Sequence, residues 1–320
     1  MRNPAFDSVR GWLIVSVIVG HIVLGSIHDQ FVRYAIYAVH MPLFIALTGY
    51  LINTDKLREF SVVQTVSRYT RRMFIPFLPA FLFFTGTLIV HAGIEGRLSL
   101  SMLLAYLSKP YYHLWFVPTL LIWVGALLLV LQARIPLKLL CVLSAPLALA
   151  WAGADGLPIT EILLSKKLFF YSYFFLLGVV CRTYLDSWRK VVQQWQWLLV
   201  VTTVFCVGFY LSQCGMPRNV LTAVTWFVLN TTLVFLVLNW ILNNSQSKQA
   251  KSLTLMGRHS LPIYLWHVLP MFLLKGFGIH QTAPLLYYLI SICSCVFLVY
   301  LVAKYENHSK GLNRWFYGVS

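Results

Sequence analysis

Acidic residues are scarce in this chain. Nine Asp and Glu occur among 320 residues, at positions 7, 29, 55, 59, 95, 155, 161, 186 and 306, and none lies in the middle of a long apolar run. That argues against a buried Ser-His-Asp triad and against a proton relay of carboxylates through an apolar interior. There is no H-E-x-x-H, no Walker loop and no G-x-S-x-G. Six cysteines, at 141, 181, 206, 214, 293 and 295, lie in or beside apolar runs without a C-x-x-C spacing, so they read as small apolar side chains. Histidine spacing gives no support for a metal, and none is expected. Internal repeats, low-complexity tracts and linkers are missing. No small-residue cleavage pattern follows the first apolar run, which argues against a removable leader.

What is present is apolar. Hydrophobic residues make up 59% of the chain and charged residues 11%, with a mean hydropathy of +0.74. A soluble domain would carry about a quarter charged residues. Runs long enough to cross a bilayer lie near 10–28, 36–53, 73–91, 114–131, 137–153, 167–184, 196–213, 220–241, 260–277 and 284–303. The expectation is an all-α polytopic membrane protein of about ten transmembrane helices, one domain over residues 1–320 with no fused extracytoplasmic domain. A net charge of +16 would suggest nucleic acid in a soluble protein, but here it reads as basic inner loops. With the N-terminus inside, eighteen of the 25 Lys and Arg fall on the inner side, which predicts both termini in the cytoplasm and no nucleic-acid partner.

The first apolar run carries Arg10 at its start and His21 in its middle. Eleven residues are about three helical turns, so the two share a face about 16 Å apart along the axis. Asp7, three residues before Arg10, joins that face. An ionisable group inside a span is costly and marks a functional site by default. A neutral imidazole can take a proton from a hydroxyl and later return it. The plain alternative for His21 is a packing histidine bonded to a neighbouring carbonyl.

Arg68, Arg71 and Arg72 form R-x-x-R-R at the inner start of the third span. Guanidinium groups bind phosphate bidentately, which suits a cytoplasmic nucleotide-bearing donor such as an acyl-coenzyme A. Basic residues at inner helix ends also follow from topology and lipid headgroups alone. On the outer side, His40-Met41-Pro42-Leu43-Phe44 opens the second span, and the stretch from His113 through Trp115 to Pro118 opens the fourth. These residues are either an interfacial aromatic belt or the lining of an acceptor cavity suited to carbohydrate. Ser260, Tyr264 and His267, spaced four and three, form a polar face in the ninth span, with His267 at mid-depth.

These residues resemble the membrane-bound acyltransferase-3 family, which includes bacterial O-acetyltransferases of surface polysaccharides. Asp7-x-x-Arg10-Gly11-x9-His21 resembles its first-helix signature. His40-Met-Pro-Leu-Phe-Ile-Ala-Leu-Thr48-Gly49-Tyr50-Leu51 resembles its second helix, with Thr-Gly where Ser-Gly is commoner. Arg68-x-x-Arg71, His113-Leu-Trp115-Phe-Val-Pro118 and Gly257-x-x-Ser260-Leu-x-Ile-Tyr264-Leu-x-His267 match three further motifs in order.

The resemblance implies an O-acyltransferase moving an acyl group, usually acetyl, from cytoplasmic acyl-CoA to a hydroxyl of a surface glycan or its lipid-linked precursor. Acyl-CoA is then a donor substrate and no cofactor is permanently bound. The expected place is a bacterial inner membrane, with membrane lipids around the chain. The implied roles are His21 as general base or acyl relay and Arg10 orienting the inner half of the site. Arg68, Arg71, Arg72 and Asp7 fall on the donor side, with Asp7 as the salt partner of Arg10. His40, His113, Trp115, Tyr264 and His267 fall on the acceptor side. Transfer is either direct or through a separate extracytoplasmic protein. The competing reading is a transporter or flippase for a glycan or small anion.

Overall fold

The computed structural model describes residues 3–26, 30–108, 113–153, 165–184, 188, 196–213, 220–306 and 308–318. Cys214, Asp29, Asp155, Glu161 and Asp186 lie outside the described residues. In chain order the helices are α1 Pro4–Ile22, α2 Phe31–Tyr50, α3 Thr54–Glu59 and α4 Val62–Tyr69, which runs through a π-helical turn, Thr70–Phe74, into α5 Ile75–Ile94. Next come α6 Leu100–Ser108, α7 Phe116–Gln132, α8 Leu137–Gly153, α9 Ser165–Thr183, α10 Gln196–Gln213 and α11 Val220–Asn243. The chain continues with α12 Lys251–Arg258, α13 Ser260–Trp266, α14 Leu269–Gly276, α15 Ile279–Thr282, α16 Pro284–Tyr305, α17 Lys310–Leu312 and a second π-helical turn, Asn313–Tyr317. No strand occurs among the described residues. Among the described residues five helical stretches are long and apolar enough to cross a bilayer: Pro4–Ile22, Phe31–Tyr50, Val62–Ile94, Leu221–Asn243 and Pro284–Tyr305. Helices satisfy their own backbone groups, which lipid demands.

The described residues form two compact units. The first takes its residues from 1–58, 130–160 and 165–258, and the second from 59–129 and 259–320. In the first unit, α1 packs along α12 and α2 along α9. Both contacts rest on glycine. A Cβ on Gly11 would meet the Leu253 carbonyl and one on Gly257 the Asp7 carbonyl; Gly49 stands likewise against Phe175, and Gly178 against Ala46. Backbones approach this closely only where side chains are missing, the usual device for joining helices in lipid.

Pro42 lies inside α2 and has no N–H to offer the Ala38 carbonyl four residues back. Asn230 on α11 fills that place, its side-chain amide donating to the Ala38 carbonyl at 2.7 Å. In the second unit α16 packs on α13, α14 and α15, and α5 on α13 and α6.

Four spans differ most from the sequence expectation. The α1 helix begins six residues earlier than expected, because the Asn3 side chain caps it, accepting from the Ala5 N–H at 2.9 Å, and Pro4 fixes its first turn. It ends at Ile22 where Val23 turns extended. The α2 helix begins five residues early, at Phe31. The third span is the later part of a continuous 33-residue helix, Val62–Ile94. The ninth is broken at His267–Val268, because Pro270 has no N–H for the Trp266 carbonyl.

Candidate active site

The early start of α1 places Arg10 in its second turn, and its end at Ile22 places His21 in its last, not halfway along. The helix is unbroken between them, so their separation along the axis stays about 16 Å. Arg10 holds its guanidinium 5.6 Å from the centre of the Phe44 ring. Asp7 is buried in the first turn, and its Oδ2 lies 3.7 Å from Nε of Arg258, an exposed residue at the end of α12. Arg258 entered the sequence reading only as an inner-side charge.

His21 meets the edge of Tyr37, with ring centres 6.3 Å apart. Tyr37 in turn meets His40 edge-on at 5.1 Å. The Arg33 guanidinium sits 5.3 Å from the centre of the Tyr37 ring and donates to the carbonyls of Val23 at 2.9 Å and Gly25 at 2.6 Å. Those carbonyls lie just past the end of α1, where a cation is favoured. His40 therefore stands mid-way along α2, one ring away from His21, and not at the outer start of the helix. Its Nδ1–H donates to the Ile36 carbonyl at 2.7 Å, which leaves Nε2 as the acceptor of a neutral ring. Tyr37 and Arg33 were missed in the sequence. Their signal was present, since 33, 37 and 40 share one helical face.

In the second unit the H-L-W-F stretch and the broken ninth span interlock. His113 Nε2 lies 3.1 Å from the Leu265 carbonyl, and the Tyr264 hydroxyl donates to the His113 carbonyl. The His113 and His267 rings meet edge-on at 5.4 Å. His267 Nδ1–H donates to the Tyr264 carbonyl at 2.7 Å. Each backbone bond takes the N–H of its ring, so His113 presents Nδ1 and His267 presents Nε2 as acceptors. All three residues are buried, and Phe84 closes on His113 at 5.0 Å. Trp115 is buried one residue ahead of α7, and its carbonyl accepts from the Thr119 hydroxyl at 2.7 Å. On α16, Tyr287, Ser291 and Cys295 recur every four residues and are all buried, with Cys295 Sγ 3.6 Å from the His267 carbonyl. The sequence reading left this polar stripe out, although its period of four was visible.

The arginine cluster lies where α4 passes into α5. Arg68 stands 4.7 Å from the centre of the Phe60 ring, and Arg71 donates to the Ser67 hydroxyl at 3.2 Å. Arg68, Arg71 and Arg72 are all exposed. The π-helical turn that carries Arg71 and Arg72 widens the local winding, so a straight α-helical wheel misplaces them. Among the described residues no group of three His, Cys, Asp or Glu could hold a metal ion.

These features define a multi-pass helical membrane protein with histidines and arginines set inside its helices. The family model described as Acyltransferase domain matches residues 3–304, and the chain belongs to that family. The chain is similar to the nodulation protein NolL of Mesorhizobium japonicum, 30% identical over 217 residues, which cover 62% of this chain and 53% of that protein. It is also similar to the nodulation protein NolL of Sinorhizobium fredii, 36% identical over 84 residues, which cover 24% of this chain and 23% of that one. The match thus spans little more than half of the first relative and under a quarter of the second. No solved structure matches the chain.

Proposed function

We propose that the chain is an integral membrane O-acyltransferase. It moves an acyl group, acetyl in the simplest case, from cytoplasmic acyl-CoA to a hydroxyl of a cell-surface glycan or its lipid-linked precursor. The observation that carries this reading is the unbroken α1 helix with Arg10 in its second turn and His21 in its last. Ten spans with both termini in the cytoplasm of a bacterial inner membrane complete the reading. In that orientation α1, about 28 Å long, leads from the donor side to the acceptor side.

Arg68, Arg71 and Arg72 hold the donor phosphates at the inner face. A pantetheine arm, about 15–20 Å extended, is comparable in length with the rise from Arg10 to His21 along α1. Asp7 fixes the inner end of α1 through Arg258, and Arg10 orients the inner half of the site. His21, braced by Tyr37, takes the proton from the acceptor hydroxyl as its oxygen attacks the thioester carbonyl. The carbon–sulfur bond then breaks, and the proton passes to the departing thiolate to give free coenzyme A. His40, with one acceptor nitrogen beside Tyr37, and His113, Trp115, Tyr264 and His267 shape the acceptor side.

The test is thiol release from acetyl-CoA by purified protein in vesicles with membrane glycan extract, wild type beside His21→Ala. Release by the wild type and its loss in the variant support the reading. A wild type that neither releases thiol nor binds the donor overturns it in favour of a transporter.

A further inference from the structure

Beyond α16 the chain folds back on the second unit. The Ser309 hydroxyl caps the short turn α17, accepting from the Leu312 N–H at 3.1 Å, and the second π-helical turn follows. Four ties hold this arm. The Tyr317 hydroxyl donates to the Val302 carbonyl at 2.5 Å. Phe316 stacks on Trp266, with ring centres 6.0 Å apart. His259 Nε2 lies 3.3 Å from Glu306 Oε2, and its ring meets Tyr317 edge-on at 5.9 Å. Gly318 adopts φ +65° with its backbone against the Arg72 carbonyl, where a Cβ would collide. That position needs glycine twice over, for the left-handed backbone and for the close approach.

The second π-helical turn therefore packs on the first, the one that carries Arg71 and Arg72. Such turns are rare and often mark functional sites. The arm carries its own guanidinium, Arg314, which is exposed. Among the described residues none of Arg71, Arg72 and Arg314 is in an ion pair with a carboxylate, and Glu306 is engaged with His259. Folding thus brings segments bearing like charges together, an arrangement that a polyanion would relieve.

We infer that Arg314 is a further phosphate-binding residue, joining Arg71 and Arg72 on the phosphates of the donor, with Gly318 and Tyr317 fastening the arm that presents it. This rests on the reading of Arg71 and Arg72 as donor residues. The phosphate could also come from a lipid headgroup, and the test separates the two sources.

Equilibrium binding of acetyl-CoA and of S-acetylpantetheine, which lacks the phosphates, is measured on the full chain in neutral and in anionic vesicles. Arg314→Gln is expected to weaken acetyl-CoA binding about tenfold in both vesicle types, with S-acetylpantetheine binding unchanged. Arg314→Lys should recover part of the loss, and melting temperature should hold, because the side chain is exposed. Gly318→Val, which displaces the arm, should reproduce the loss. If Arg71→Gln leaves acetyl-CoA binding intact, the donor reading falls and the inference with it. If Arg71→Gln weakens binding while Arg314→Gln does not, the inference alone falls. A change confined to anionic vesicles assigns Arg314 to lipid headgroups and overturns it.

Discussion

His21 and His40 of the first unit stand on unbroken helices, whereas His113 and His267 of the second stand in turns, one ahead of α7 and the other just past α13. The first pair is placed by helical period. A ring at the end of α1 and a ring midway along α2 meet through Tyr37, and each could be removed with its backbone left whole. The second pair is placed by backbone bonds between residues about 150 apart in sequence, His113 to Leu265 and Tyr264 to His113. There the imidazoles are part of what holds the chain in shape. The same side chain is thus one that the fold can spare in one unit and a structural member in the other.

The largest expected effect tests the first half of that contrast. His21→Ala should lower the rate of thiol release at least a hundredfold, the lower bound of about 10²–10⁴ for a lost general base. Melting temperature should barely move. A variant with wild-type rate would remove His21 from the chemistry, and one that unfolds would make the two units alike.

The next largest tests the second half. His113→Ala should lower both readouts, costing about 1–3 kcal/mol of stability for its buried bond to Leu265, together with part of the rate. Thermal unfolding and thiol release on the same sample check it. A lost rate at unchanged stability would place His113 with His21 and erase the distinction.

The contrast also explains what could be read in the sequence. The apolar runs announced helices throughout, and 137–153 and 196–213 match α8 and α10 at both ends. The face shared by Asp7, Arg10 and His21 needed only an unbroken helix, which α1 provides. Position along the helix was misread because it depends on where the helix starts and stops: Asn3-Pro4 starts α1 early, and Val23 turns extended, so α1 ends at Ile22 and His21 falls in its last turn. His40 falls midway along α2 because that helix begins at Phe31, with no side-chain cap to announce its start. The break at His267 was written in Pro270, but an apolar run across it masked the signal. The contact between His113 and Leu265 had no local signal, since nothing in either segment specifies a partner so far away. Nor does composition report a π-helical turn, so the setting of Arg71 and Arg72 was hidden.

A smaller effect probes the helix beneath His40. Asn230→Leu leaves the Ala38 carbonyl without the donor that Pro42 denies it. Hydrogen bonds between membrane helices are worth about 0.6 kcal/mol on average, and an orphaned carbonyl raises the cost to about 1 kcal/mol. Stability should drop by that amount with thiol release per folded molecule nearly unchanged. A large loss of rate would show that α2 must be braced at its proline for His40 to work.

The smallest expected effect is at Arg33, which ties the end of α1 to α2. Its two bonds, to the Val23 and Gly25 carbonyls, occupy acceptors that the helix itself cannot satisfy, and its face covers Tyr37. The site is partly exposed, so a cation there contributes about 0.3–1 kcal/mol. Arg33→Gln should cost no more than that. Yet the last turn of α1 carries His21, and a loosened turn spreads the imidazole over more positions. The rate should therefore fall severalfold with donor affinity unchanged, a split between kcat and KM that simple destabilisation does not produce. If both constants hold, the end of α1 keeps its shape through packing alone, with Gly20 pressed against Ile36 and Tyr37 as the contact that fixes it.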